Sequence, residues 1–184
     1  MLAAGKGKRL KSSRPKVLHE LCGRPSLWFV LQAVRAARPD RVVVVVSERD
    51  GPVSRAVRSW GIVPEPVFVE QPERLGTGNA VMVAEAATGR VDDVLVMAGD
   101  DPLVRPQDVR RLMAAHRRSK AAGSILTTRL GNPTGYGRIV RDATGALAEI
   151  GEEPDASPEV RAIDEVALLV YACLLYTSPS PRDS

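Results

Sequence analysis

Apolar runs and apolar stripes alternate along the chain. Residues 42–46 are five consecutive valines. A run apolar on both faces is what the middle of a covered parallel sheet requires. Residues 94–97 form a second such run, residues 67–69 a shorter one, and residues 2–4 the end of a first strand. Between these runs the period changes. Leu27, Val30, Leu31 and Val34 recur at helical spacing within residues 25–37, and Pro25 suits a first helical turn. Residues 52–60 and 80–87 read as two further helices. Residues 107–118 read as an amphipathic one, with Val109, Leu112 and Met113 inward. Strands follow at residues 124–128 and from Arg138 onward.

Composition narrows the class. The chain has 184 residues, 44% hydrophobic and 26% charged, enough for one domain with a substantial core. Aromatics make up only 4%, so that core rests on Val, Leu, Ile and Ala. The net charge is +4, which suits an anionic partner. No aromatic residues interleave with the cations as a stacking platform, so nucleic acid ranks low and a phosphorylated small molecule high. No apolar run is long enough to span a bilayer, so no membrane role is expected. The first residues run straight into a glycine loop rather than a signal peptide. Cys22 and Cys173 do not suggest a disulfide scaffold, and the expected compartment is a reducing cytoplasm. His116, between Ala115 and Arg117, is expected at the surface, and His19 as a structural residue.

Both ends of the chain are unusual. Three apolar residues separate Met1 from Gly5, so the first strand reads as clipped. Residues 173–184 can be encoded by a string that resembles a transposase-type sequencing adapter translated in frame. The expected organisation is a partial domain over residues 1–172 and a read-through tail over 173–184.

Four motifs and a glutamate carry candidate chemistry. The first is Leu2-Ala3-Ala4-Gly5-Lys6-Gly7-Lys8-Arg9, followed by Pro15-Lys16. Two glycines two apart allow positive φ and close backbone approach, and successive N–H groups in such a turn can cradle an anion. Six cations within residues 6–16 must face water or an anion. The loop is neither a Walker A loop nor a Rossmann fingerprint. Second, Gln71 stands five residues before Gly76-Thr77-Gly78, a small turn leading into a helix. Third, residues 94–97 end in Gly99-Asp100-Asp101-Pro102. A carboxylate at the carboxyl end of a parallel strand lies where ligands bind in open α/β sheets, and it offers the hard oxygen that Mg²⁺ takes. Fourth, Gly135-Tyr136-Gly137-Arg138 forms a tight turn into a strand, and Glu152 stands after residues 146–150.

Taken in order, these blocks resemble the sugar nucleotidyltransferases, over nearly all of residues 2–171. Within that family the pattern is most similar to the bacterial N-acetylglucosamine-1-phosphate uridylyltransferases. The resemblance implies an α/β fold, a three-layer α/β/α nucleotide-binding (Rossmann-like) sandwich with a mostly parallel sheet. It implies transfer of a uridylyl group from UTP to N-acetylglucosamine 1-phosphate, with Mg²⁺ as cofactor and pyrophosphate as co-product. By that resemblance Leu2, Ala3, Ala4, Gly5 and Gly7 place the nucleotide, and Arg9 and Lys16 neutralise its phosphates. Gln71, Gly76 and Thr77 read uracil, Asp100 holds the metal, and Gly137 and Glu152 hold the sugar. The family's parent enzyme carries a C-terminal β-helical acetyltransferase domain that builds a trimer. This chain departs from the pattern at Asn79, where histidine is frequent, at Asp101, where the residue is mostly uncharged, and at Ala167, where an asparagine contacts the sugar. A related nucleotidyltransferase for another sugar 1-phosphate or nucleotide, and a non-catalytic nucleotide-binding fragment, are the alternatives.

Overall fold

The N-terminal stretch lies in the middle of a parallel sheet. In a computed structural model, which describes residues 1–5, 7, 10–73 and 75–174, Leu2 bridges Val45 on one side and Ala98 on the other, both in parallel. Leu2 N donates to Met97 O and Ala3 N to Val45 O, each at 2.8 Å. The calls on Lys6, Lys8, Arg9, Arg74 and residues 175–184 lie outside the described residues.

The chain forms two compact units. The first holds residues 1–124 together with the segment from Tyr171. After the central stretch, a short 3-10 turn, Lys16–Leu18, precedes a two-residue hairpin of β1 (Glu20–Leu21) and β2 (Arg24–Pro25). Its turn residues Cys22 and Gly23 both have positive φ, +50° and +73°, the backbone that a tight hairpin needs. Then come α1 (Ser26–Arg35), β3 (Val43–Val46), α2 (Pro52–Arg58), β4 (Val67–Glu70), α3 (Thr77–Thr88), β5 (Asp93–Met97) and α4 (Pro106–Ser119). β3 pairs with β4 in parallel, Val44 opposite Phe68. The strand order is therefore β4, β3, the N-terminal stretch, β5. Val44, Val45 and Val46 are all buried, as a strand covered on both faces demands. α3 packs its Ala80 and Ala84 against Ala4 and Val45. α1 packs against α4, and its Leu27, Val30 and Leu31 are inaccessible to solvent.

His116 is a correction. It is 1% exposed rather than at the surface, with Nδ1 3.0 Å from Ser124 Oγ. Its place on α4 is the reason: it lies four residues beyond Leu112 and seven beyond Val109, on the inward stripe. The charged neighbours Arg117 and Arg118 point from other faces of the same helix.

The second unit spans Ile125–Val170. It contains most of β6 (Gly123–Arg129), all of β7 (Arg138–Arg141) and β8 (Leu147–Gly151), the single-turn helix α5 (Pro158–Arg161), and the start of β9 (Glu165–Leu174). β7 pairs antiparallel with β8, Arg138 opposite Gly151 and Ile139 opposite Ile150, and antiparallel with β9 at Val166. β6 also pairs with β9. Glu165 ties three of these strands: its carboxylate accepts from Thr127 Oγ1 at 2.8 Å and from Arg141 at 2.6 and 3.0 Å. The β7–β8 turn is organised by Asp142, which accepts from the Thr144 and Ala146 amides, with Gly145 at φ +83°. Back in the first unit, β9 continues through Cys173, whose Sγ lies 3.7 Å from Val94 O, to Leu174, whose amide donates to Ala122 O.

Candidate active site

Gly7, Lys16 and Asp100 meet at the carboxyl end of the central strands. Gly7 has φ +58°, and a Cβ on it would lie 2.7 Å from Lys16 Cβ. The glycine is thus needed twice, for its backbone conformation and for the lysine stem beside it. Lys16 opens the 3-10 turn, which Val17 and Leu18 anchor in the core. Ser26 braces that turn from the start of α1: its Oγ donates to Val17 O and its amide to His19 O, both at 2.9 Å. So held, the Lys16 ammonium pairs with the Asp100 carboxylate.

Asp100 reaches this point because of the glycine before it. Gly99 N donates to Leu2 O at 2.8 Å. A Cβ on Gly99 would meet Leu27 Cδ1 at 3.0 Å, Leu2 O at 3.1 Å and Val17 Cγ1 at 3.2 Å. The end of β5 therefore presses directly on the central strand, and Asp100 emerges beside the loop. Burial, followed by the adjacent Asp100 charge, pushes the Asp101 carboxyl above its ordinary range, while Lys16 pulls the other way. The two carboxylates form a local concentration of negative charge that one lysine offsets. Among the described residues no group of three or more His, Cys, Asp or Glu side chains could hold a metal ion by itself. A hard divalent cation that takes one or two carboxylates and completes its shell with phosphate and water fits this donor set.

The second cluster is the turn before α3. Gln71 follows β4 and is 5% exposed. Its amide donates to Val46 O at 2.8 Å. Its Nε2 donates to Asn79 Oδ1 at 2.9 Å and to Gly76 O at 3.3 Å. Gly76, at φ +98°, is the N-cap of α3 and Thr77 its exposed first residue. Gln71 thus braces the turn from beneath. Ala80 shares one apolar cluster with Ala4, so this turn stands about one helical turn from that cluster. Leu2, Ala3, Ala4, Gly5, Gly7, Lys16, Gln71, Gly76, Thr77 and Asp100 all fall in the first unit.

Gly137 and Glu152 fall in the second unit, side by side. A Cβ on Gly137 would lie 3.5 Å from Glu152 Oε1 and 3.0 Å from Ile150 Cγ2. The antiparallel register of β7 and β8 brings the two together. Ala167 N donates to Gly137 O at 2.8 Å, so the alanine backs the same spot. Glu152 is fixed from below: a Cβ on Gly151 would meet Val160 Cγ1 of α5 at 2.8 Å, and Asp155 N donates to Glu152 O at 3.1 Å.

Sequence reasoning missed Ser26, Gly99 and Gly151 as site-building residues. Gly99 and Gly151 each precede a candidate carboxylate at a strand end, a signal that was available.

Comparison with known proteins agrees with this architecture. The structure is similar to a UDP-glucose pyrophosphorylase complexed with UDP-glucose, with a TM-score of 0.77 at 15% identity over 94% of this chain and 74% of that one. A UDP-glucose pyrophosphorylase from Acinetobacter baumanii gives 0.67 at 21% identity, over 95% and 73%. The fold is that of the α/β nucleotidyltransferases. Residues 1–163 match the MobA-like NTP transferase domain, and the chain belongs to that family. It is 46% identical over 177 residues to the bifunctional protein GlmU of Thermobifida fusca, and 42% identical over 171 residues to that of Syntrophomonas wolfei. These alignments cover 94% and 93% of this chain but 36% and 37% of the relatives, so the chain spans little more than a third of their length.

Proposed function

We propose that the protein to which this chain belongs transfers a uridylyl group from UTP to N-acetylglucosamine 1-phosphate, giving UDP-N-acetylglucosamine and pyrophosphate. The observation that carries this reading is the convergence of Gly7, Lys16 and Asp100 at one strand edge. The relatives at 42–46% identity support it.

In this reading an oxygen of the sugar phosphate attacks the α-phosphorus of UTP in line. A new P–O bond forms, the bond to the β-phosphate oxygen breaks, and pyrophosphate leaves with its electron pair. No covalent enzyme intermediate is required, so the protein contributes position and charge. The loop of Leu2, Ala3, Ala4, Gly5 and Gly7 holds the phosphates, and Lys16, with Arg9, offsets their charge. Gln71, Gly76 and Thr77 hold the uracil, and Gly137 and Glu152 hold the sugar. Asp100, with Asp101 beside it, would hold Mg²⁺, which when bound supplies charge neutralisation at the phosphates.

The same reading makes the enzyme cytoplasmic and its parent a trimer built by a C-terminal domain. It takes residues 1–172 as part of a nucleotidyltransferase domain and 173–184 as adapter read-through. Support for the last point is the composition of the tail, and the coding DNA tests it: codons unlike the adapter's would remove it.

Ala167 favours a second reading, transfer to a different sugar 1-phosphate. Its methyl group offers no hydrogen bond beside Gly137. Pyrophosphate release, measured across a panel of nucleoside triphosphates and sugar 1-phosphates with the intact gene product, separates the two. Release with UTP and N-acetylglucosamine 1-phosphate above all other pairs supports the first. A preference for another sugar supports the second, and no release with any pair overturns both.

A further inference from the structure

Arg138 is an unusual residue to find in the interior of the second unit. Its side chain is 3% exposed, yet its charge is only thinly compensated. Nη1 and Nη2 both approach a single oxygen, Glu153 Oε2, at 3.4 Å, the long limit of a hydrogen bond. Nε is buried without a partner. An ion pair so incompletely satisfied is poor as a source of stability, because desolvation of the guanidinium is not repaid in full.

What the pair does is geometric. Nη1 of Arg138 also donates to Tyr136 O, and Gly135 N donates to the same Glu153 Oε2. Both peptide groups of the Gly135–Tyr136 corner are thereby tied to one guanidinium–carboxylate pair. Gly135 sits at φ +87°, so the corner is a backbone arrangement that needs holding. Gly137 follows this corner directly, and Glu152 directly precedes Glu153. The clasp spans the strand pair at the position where Gly137 and Glu152 face each other.

We propose that Arg138 and Glu153 are positioning residues for the sugar side of the site, setting the Gly137 backbone and the Glu152 carboxylate at the separation a sugar 1-phosphate requires. Neither touches the substrate. This rests on the assignment of Gly137 and Glu152 to the sugar, and goes beyond it by naming what holds them.

The test uses E153Q, which keeps an oxygen for the Gly135 amide but removes the charge, and the double variant R138M/E153M, which leaves no orphaned charge should E153Q fold poorly. Two readouts are taken, exchange on the 184-residue chain and affinity on the intact gene product. The first is amide hydrogen exchange at Gly135 and Gly137, which needs no ligand. The second is affinity for UDP-N-acetylglucosamine against affinity for UTP. Both variants are expected to exchange faster at these amides and to bind UDP-N-acetylglucosamine about tenfold more weakly, the effect of roughly one lost hydrogen bond. UTP affinity is expected to be unchanged. Unchanged exchange overturns the clasp itself. Faster exchange with unaltered affinity for UDP-N-acetylglucosamine, or an equal loss for UTP, overturns its role toward the sugar. If the intact gene product without substitutions binds neither ligand, the functional reading fails, and the sugar role fails with it; exchange still decides the clasp.

Discussion

The ammonium of Lys16 forms an ion pair with the carboxylate of Asp100. In the proposed reading these two groups serve the triphosphate and its metal, and here they neutralise one another. Their side chains are 42% and 26% exposed, so the pair sits in water-accessible space, where such contacts contribute about 0–1 kcal/mol. In the proposed reading, a bound nucleotide would break it at small cost.

Replacing Lys16 by Ala is therefore expected to lower turnover by about two to three orders of magnitude, the loss typical of one group that stabilises transition-state charge. The thermal midpoint should stay close to that of the parent. Pyrophosphate release and a circular dichroism melt read the two effects. Turnover like that of the unsubstituted enzyme would rule out the role of Lys16.

Asp100→Asn should behave differently. It keeps the shape but loses the charge a divalent cation needs. Mn²⁺ binding in the presence of UTP, followed by electron paramagnetic resonance, is expected to weaken at least tenfold, by about 1.4 kcal/mol or more. Chelation with EDTA should stop turnover in the parent enzyme without moving its melt. Retained Mn²⁺ affinity would place the metal elsewhere.

Gly99→Ala should destabilise the fold by about 1–3 kcal/mol, the usual cost of overpacking. The added methyl would meet the backbone oxygen of Leu2, on a strand hydrogen-bonded to Gly99 itself and unable to retreat. Urea denaturation measures this, and an unchanged midpoint would contradict the close contact.

Glu165 predicts an acid limit. Its hydrogen bond with Arg141 comes first among the causes that lower its carboxyl from 4.5 to about 2, while burial opposes. A depressed carboxyl contributes stability that is fully present above pH 4.5 and is lost as pH falls through about 2. Stability should decline across that window, and Arg141→Met should flatten the decline. Denaturation midpoints between pH 5 and 2 decide it; equal slopes in both proteins would refute the linkage.

Much of the first unit was legible because its signals are local. The valine run became a covered strand, the stripe at Leu27, Val30, Leu31 and Val34 became α1, and the glycine pair with its lysine became a real corner against Asp100. Where reading failed, the missing information was long-range. His116 was judged by its sequence neighbours, while its environment comes from Ser124 and Asp93 on other segments. The β1–β2 hairpin went unread because Cys22 carries the left-handed backbone that Gly or Asn more often supplies. The Arg138–Glu153 clasp depends on strand register, which no local pattern at either residue encodes.

The central place of residues 1–4 carries a consequence for biosynthesis. Residues 1–4 are synthesised before their partners, Val45 on one side and Met97, Ala98 and Gly99 on the other. At about 5–20 residues per second, the second of those neighbours emerges roughly 5–20 s after residues 1–4. Through that interval the future centre of the sheet is a nascent segment with an apolar edge and no partner on its β5 side.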